Sequence, residues 1–175
     1  MAVPPRRKQD AGTYFVTSRA WESRKLFIKP PVCEIVIETL LHYRDQHNYL
    51  LHSFVLMPDH IHLLLTPGRN IALERAVQLI KGGSARRISQ ALNFHLPVWQ
   101  RGFTDHRIRD VQDYENHLRY IEVNPVRRNL VLSDREYPWS SAGERFSLDD
   151  FPQGLKPLRK AEHIGTVETV PLRRP

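Results

Sequence analysis

Residues Tyr49–Thr66 read YLLHSFVLMPDHIHLLLT, two apolar runs joined at Pro58–Asp59. A Pro–Asp pair between such runs signals a turn, so Tyr49–Met57 and Ile61–Thr66 are expected to pair as a hairpin. The second run is apolar enough to belong at the centre of a sheet, yet Asp59, His60 and His62 interrupt its start. Burying a polar group without a partner costs roughly 2–7 kcal/mol, so something must satisfy these side chains. Successive strand residues alternate faces, so His60 and His62 project together while Ile61 and Leu63 point into the opposite side.

The remaining pattern fills in an architecture around this hairpin. Thr13–Thr17 (TYFVT) is rich in β-branched and aromatic residues and reads as a strand. After Pro30–Pro31, apolar positions at Val32, Ile35, Val36, Leu40 and Tyr43 predict a helix over 32–46. A second helix is expected over 71–92, with Leu73, Ala76, Val77, Ile80, Ile88 and Leu92 inward and Gly82–Gly83 weakening or kinking it. VWQRGFTDHRIR at 98–109 reads as strand and loop. A last helix starts near 110 and is expected to end near Asn124, because Pro125 disfavours helical geometry in the residue before it. The order predicts an α+β, ferredoxin-like fold: an antiparallel sheet with helices packed on one face. Residues 1–10 read as a flexible basic leader, 11–146 as the domain and 147–175 as a Pro- and charge-rich tail.

Charge narrows the function classes. Lys and Arg number 26 against 19 Asp and Glu, a net charge of +7. That surplus attracts polyanions, either nucleic acid or an anionic membrane, unless it is only a solvated face. Arginines clustered at Arg86–Arg87, Arg101–Arg109 and Arg127–Arg128 favour nucleic acid. No apolar run approaches the ~20 residues that cross a bilayer, so no membrane association is expected. The single cysteine, Cys33, excludes an intramolecular disulfide and a cysteine-cluster zinc site, and fits a reducing cytosol.

Two imidazoles side by side on one sheet face make half of a metal site, although H-x-H pairs also occur as simple hydrogen-bonded histidines. Asp59 either orients an imidazole or only forms the turn. In the last helix Val111, Tyr114, Leu118 and Ile121 form the stripe expected in the core. Asp113, His117, Tyr120 and Asn124 form a second stripe beside it, which on periodicity alone belongs at the surface. Its content is unusual, since Tyr120 and Asn124 are neighbours one turn apart. A phenol can be a covalent nucleophile and an amide oxygen a hard metal ligand.

MPDHIHLLL, VWQRGFTDHRIRD, LRYIEVNPVRRNLV and YPWSS, in this order over about Gly12–Ser141, resemble the REP-associated tyrosine transposases. These belong to the HUH (His-hydrophobic-His) superfamily with the single-tyrosine insertion-sequence transposases. The resemblance implies a ferredoxin-like sheet akin to an RNA-recognition module. It places the family's metal-binding histidines on His60 and His62, its nucleophile on Tyr120 and its helix-borne amide ligand on Asn124. The insertion-sequence relatives usually carry Gln at that last position. KGGSARR at 81–87 departs from their unbroken helix.

The implied activity is cleavage and rejoining of single-stranded, hairpin-bearing DNA through a 5′-phosphotyrosine, with Mg²⁺ or Mn²⁺ as cofactor. The implied setting is the bacterial cytoplasm, on nucleoid DNA, with the protein working as a monomer or alternatively as a dimer. Arg101, Arg107, Arg109, Arg127 and Arg128 are the expected phosphate contacts, and Trp99 or Phe103 could stack on bases unless they are core residues. Asp59, His117 or solvent could take the phenol's proton. A binding module without catalysis and a hydrolase built on D-H-x-H are the rival readings.

Overall fold

The computed structural model describes residues 12–94, 97–152 and 155 of the chain. Four strands, β1 (Tyr14–Arg19), β2 (Tyr49–Met57), β3 (His60–Pro67) and β4 (Thr104–Arg107), form one antiparallel sheet in the order β2-β3-β1-β4. Helix α1 (Pro30–Asp45) connects β1 to β2, and α2 (Leu73–Leu92) connects β3 to β4. Each crossover skips one strand, which gives the split βαβ arrangement of a ferredoxin-like fold. Helix α3 (Val111–Arg127) follows β4.

The expected hairpin is present, with Met57 opposite His60 and Val55 opposite His62 across the Pro58–Asp59 turn. Its register shifts between Leu51 and Ser53. The extra residue, His52, lets Leu51 and Phe54, three apart in sequence, enter the same core. That core joins Val16, Phe54, Leu56, Ile61, Leu63 and Leu65 to α1 and α2 residues such as Val36, Leu40, Val77 and Ile80. The alternate strand residues Val55, Met57 and Leu64 face the other way and pack with Tyr114 and Ile121 of α3. The α+β class therefore stands, but only α1 and α2 share a face; α3 covers the opposite one. Apolar residues on both sides of β2 and β3 require this second cover.

Two local expectations are corrected. Helix α2 runs unbroken through Gly82–Gly83. A Cβ on Gly83 would meet Tyr43 Cε2 at 2.7 Å and Thr39 Cγ2 at 3.0 Å, so this glycine lets α2 approach α1 closely. Helix α3 does not stop at Asn124 but continues through a buried Pro125 to Arg127. Proline there forfeits one hydrogen bond near the helix end. The last turn is then closed by Leu130 N–H to Pro125 O (2.9 Å) and Asn129 N–H to Val126 O (2.9 Å). Asn129 adopts the left-handed conformation (φ 55°), so the helix ends in a Schellman motif.

Beyond α3, residues 137–141 line the free edge of β2. Leu56 N–H donates to Trp139 O, Ser141 N–H to Phe54 O, and Tyr137 Oη to Leu56 O. Asp149 continues this contact, accepting Leu51 N–H at 2.7 Å and Arg44 Nε at 2.9 Å. The start of the segment from 147 is thus folded onto the sheet, whose edge would otherwise expose unpaired backbone groups. The leader residues 1–10 and the tail from 156 lie outside the described residues.

Candidate active site

Strand β3 carries His60 and His62 onto the α3 face of the sheet, and both are buried. Their Nε2 atoms face each other at 3.1 Å. Each remote nitrogen has its own partner. His60 Nδ1 donates to Asp59 Oδ1 at 2.6 Å, and His62 Nδ1 lies 2.8 Å from Thr17 Oγ1 on β1. Asp59 is therefore both the turn residue and the group that orients His60.

These partners constrain the protons. An ionised carboxylate only accepts, so His60 carries its proton on Nδ1 and presents a lone pair at Nε2. Burial lowers the His60 pKa, against the opposing effect of its hydrogen bond to Asp59. Burial, followed by the neighbouring His60 and the charges of Arg19 and Arg128, lowers His62 to about 3. Both rings are neutral near pH 7. Without a cation, His62 can donate Nε2–H to His60 while Thr17 donates its hydroxyl to His62 Nδ1. With a cation at Nε2, the His62 proton would sit on Nδ1 and Thr17 would accept it. A hydroxyl serves both states, so the donor set fits a divalent metal.

Tyr120 stands beside this pair. Its ring meets His62 edge-on at 5.3 Å between centroids and Phe15 at 5.8 Å. It is 38% exposed, unlike the buried core residue Tyr114. Asn124, one turn later, is buried. Asp113 is buried too and His117 half-buried, so the second stripe of α3 lies against the sheet except at the exposed Tyr120. The expected core stripe holds at Tyr114, Leu118 and Ile121, with Val111 half-buried.

The arginines separate into two groups. Arg128 acts on both histidines electrostatically, and the Arg127 guanidinium lies 5.9 Å from the Tyr120 ring. Arg107 and Arg109 sit at the other end of α3, about 25 Å away along a helix of this length. Arg109 Nε donates to Asp113 Oδ2 at 2.9 Å, although its side chain is largely exposed. Arg101 is exposed in the loop before β4. Trp99 is a core residue: it is buried, donates Nε1–H to Ser84 and packs on Phe27. It cannot stack on bases, and Phe103 is likewise partly buried against the core.

Sequence reasoning missed three residues of β1. Phe15, Thr17 and Arg19 alternate onto the histidine face, and the register sets Thr17 opposite His62 and Arg19 opposite His60. Arg19 is exposed and makes no ion pair among the described residues. The alternation of YFVTSR was the available signal, but only the β1–β3 pairing identifies its neighbours. A cluster was also missed, in which His106, Asp113 and His117 bring ligand atoms within 4.8 Å of one another. Burial alone would raise the Asp113 carboxyl, but hydrogen bonds from Arg109 and His106 hold it well below the usual range.

Comparison with known proteins identifies the family and the fold. The sequence model of the family described as "Transposase IS200 like" matches residues 13–124. A REP-associated tyrosine transposase of Escherichia coli is 24% identical over 148 residues, covering 84% of this chain and 83% of that protein. A Haemophilus influenzae protein provisionally named a REP-associated tyrosine transposase is 30% identical over 111 residues. That match covers 58% of this chain and 63% of the relative, so the chain spans less than two thirds of it. A solved structure of a REP-associated tyrosine transposase bound to a REP hairpin superposes with a TM-score of 0.65 at 23% identity, covering 80% of this chain and 82% of the other.

Proposed function

The chain belongs to the IS200-like transposase family, and from that premise we propose that it nicks and rejoins single-stranded DNA bearing a REP-like hairpin. The observation that carries the reading is the exposed Tyr120 beside a buried, neutral histidine pair whose Nε2 atoms converge. His60 and His62, with the Asn124 amide oxygen, would hold Mg²⁺ or Mn²⁺, which would polarise the scissile phosphate and offset charge developing on its oxygens. Two nitrogen donors favour Mn²⁺ of the two.

In this reading the Tyr120 phenolic oxygen attacks phosphorus after its proton passes to solvent or a nearby base. The bond from phosphorus to the 3′ oxygen breaks, and that oxygen leaves as a 3′-hydroxyl. The 5′ phosphate stays on Tyr120 as a phosphodiester, so a 3′-hydroxyl can reverse the step and rejoin a strand without ATP. Asp59 and Thr17 fix the two imidazoles during this chemistry. Arg19 and Arg128, flanking the pair, are assigned to the phosphate at the cut, and Arg127 to the adjoining strand. Arg101, Arg107 and Arg109 are assigned to more distant phosphates. The protein is expected to act as a monomer in the bacterial cytoplasm.

The test is a labelled hairpin oligonucleotide incubated with protein and Mn²⁺, then run on a denaturing gel. Wild type should give an SDS-resistant shifted band. Tyr120→Phe should abolish it while leaving hairpin affinity within a few fold. A band retained by Tyr120→Phe and lost in Tyr114→Phe would overturn the choice of nucleophile. Hairpin binding with no adduct in the wild type would make the protein a binding module.

A further inference from the structure

We propose that His106, Asp113 and His117 form a second metal site, suited to Zn²⁺ or a similar transition cation, that clips β4 to the start of α3. His106 lies on β4, opposite Phe15 of β1, while Asp113 and His117 lie one turn apart on α3. His106 Nε2 is 2.9 Å from Asp113 Oδ2, and His117 Nδ1 is 3.2 Å from Asp113 Oδ1. Zinc bonds of 2.0–2.2 Å in a tetrahedron set ligand atoms about 3.3 Å apart. The described separations, all within 4.8 Å, need only small side-chain adjustments to reach that geometry.

The chemistry of the three donors sets the metal class. Two imidazole nitrogens and one carboxylate oxygen suit zinc, whereas Mg²⁺ and Ca²⁺ call for oxygen. Asp113 is buried and held ionised, so the anionic ligand is already prepared. Arg109 balances it through Nε while its side chain is 72% exposed, so it can swing into solvent when a cation takes its place. His117 Nδ1 now donates to the Asp113 backbone carbonyl at 2.7 Å. Binding would exchange that bond for the metal, with the ring proton moving to Nε2.

This site is separate from the histidine pair. The Phe15 ring stands between them, 5.1 Å from His62 and 4.8 Å from His117. Strand β4 has four residues and pairs with β1 alone among the described strands. A metal bridging it to α3 would fix the helix that carries Tyr120 against the sheet. The inference does not depend on the proposed DNA chemistry.

Co²⁺ serves as the probe, on protein carrying His60→Ala and His62→Ala so that the first pair contributes nothing. This variant should bind one equivalent of Co²⁺, develop visible ligand-field absorption and melt at a higher temperature with metal than without. Adding His106→Gln, or His117→Gln, should remove all three effects. A folded double variant that binds no Co²⁺ overturns the proposal and leaves an Arg109–Asp113–His106 ion-pair network. Retention of the bound Co²⁺ after both glutamine substitutions also overturns it. If the double variant does not fold, His106→Gln in the otherwise native protein should lose one equivalent of bound Co²⁺; unchanged stoichiometry refutes the site.

Discussion

Lowering the pH should destabilise the metal-free protein through His62 in particular. An imidazole in the unfolded chain titrates near 6.5, whereas burial and neighbouring charges hold His62 to about 3 in the fold. Between these values the unfolded state binds the proton that the folded state refuses, so stability rises with pH across this window. The His62 contribution is fully present above pH 6.5 and is lost as pH falls towards 3. From pH 6.5 to pH 4 the loss is about 3 kcal/mol, at 1.36 kcal/mol per pH unit. Urea denaturation in EDTA, run on wild type and His62→Gln at matched pH values, isolates the effect because carboxylates titrate in both proteins. Wild type should lose about 2–3 kcal/mol more than the variant over this interval. Parallel pH profiles would refute the reasoning, since they would mean that His62 is solvated or charged in the fold.

Three further outcomes probe the site. Thr17→Val removes the hydroxyl that accepts the His62 proton in the metal-bound state; metal affinity, measured by Mn²⁺ titration of cleavage, should fall roughly 10–100-fold. Asn124→Ala should raise the Mn²⁺ needed for cleavage while Asn124→Asp retains metal binding, and an Ala variant with normal Mn²⁺ dependence removes Asn124 from the site. Replacing Arg19, Arg127 and Arg128 by Ala should weaken hairpin binding and flatten the plot of log affinity against log salt, by about 0.7 for each single-strand phosphate left unneutralised; an unchanged slope means the basic footprint lies elsewhere.

Local patterns made much of the fold legible. The Pro58–Asp59 turn, the apolar runs around it and the period of α1 and α2 all rest on neighbours in sequence, and each element formed where its pattern lay. The failures were tertiary. Pro125 is tolerated because the Schellman motif at Asn129 supplies an ending a turn later, and a local steric rule does not contain that information. Gly83 looked like a helix weakener because its reason, the Tyr43 and Thr39 side chains, belongs to another helix. Helix α3 was expected on the same face as its predecessors because periodicity says which stripe is apolar, not which side of the sheet receives it.

The candidate site shows the same division. His60, His62, Tyr120 and Asn124 were visible as spacings within single elements, but what makes the histidines usable comes from pairing between strands. On one side β2 supplies Val55 and Met57, which keep water away and hold the imidazoles neutral. On the other side β1 supplies Thr17, whose hydroxyl lies 2.8 Å from His62 Nδ1, and Arg19, which stands opposite His60. A one-residue slip of β1 would turn Val16 and Ser18 towards the histidines instead. The imidazoles would then lose the hydroxyl and the guanidinium together. Register, fixed by burial of Val16, Ile61 and Leu63 on the far face, is therefore the physical link between an ordinary apolar core and the chemistry above it.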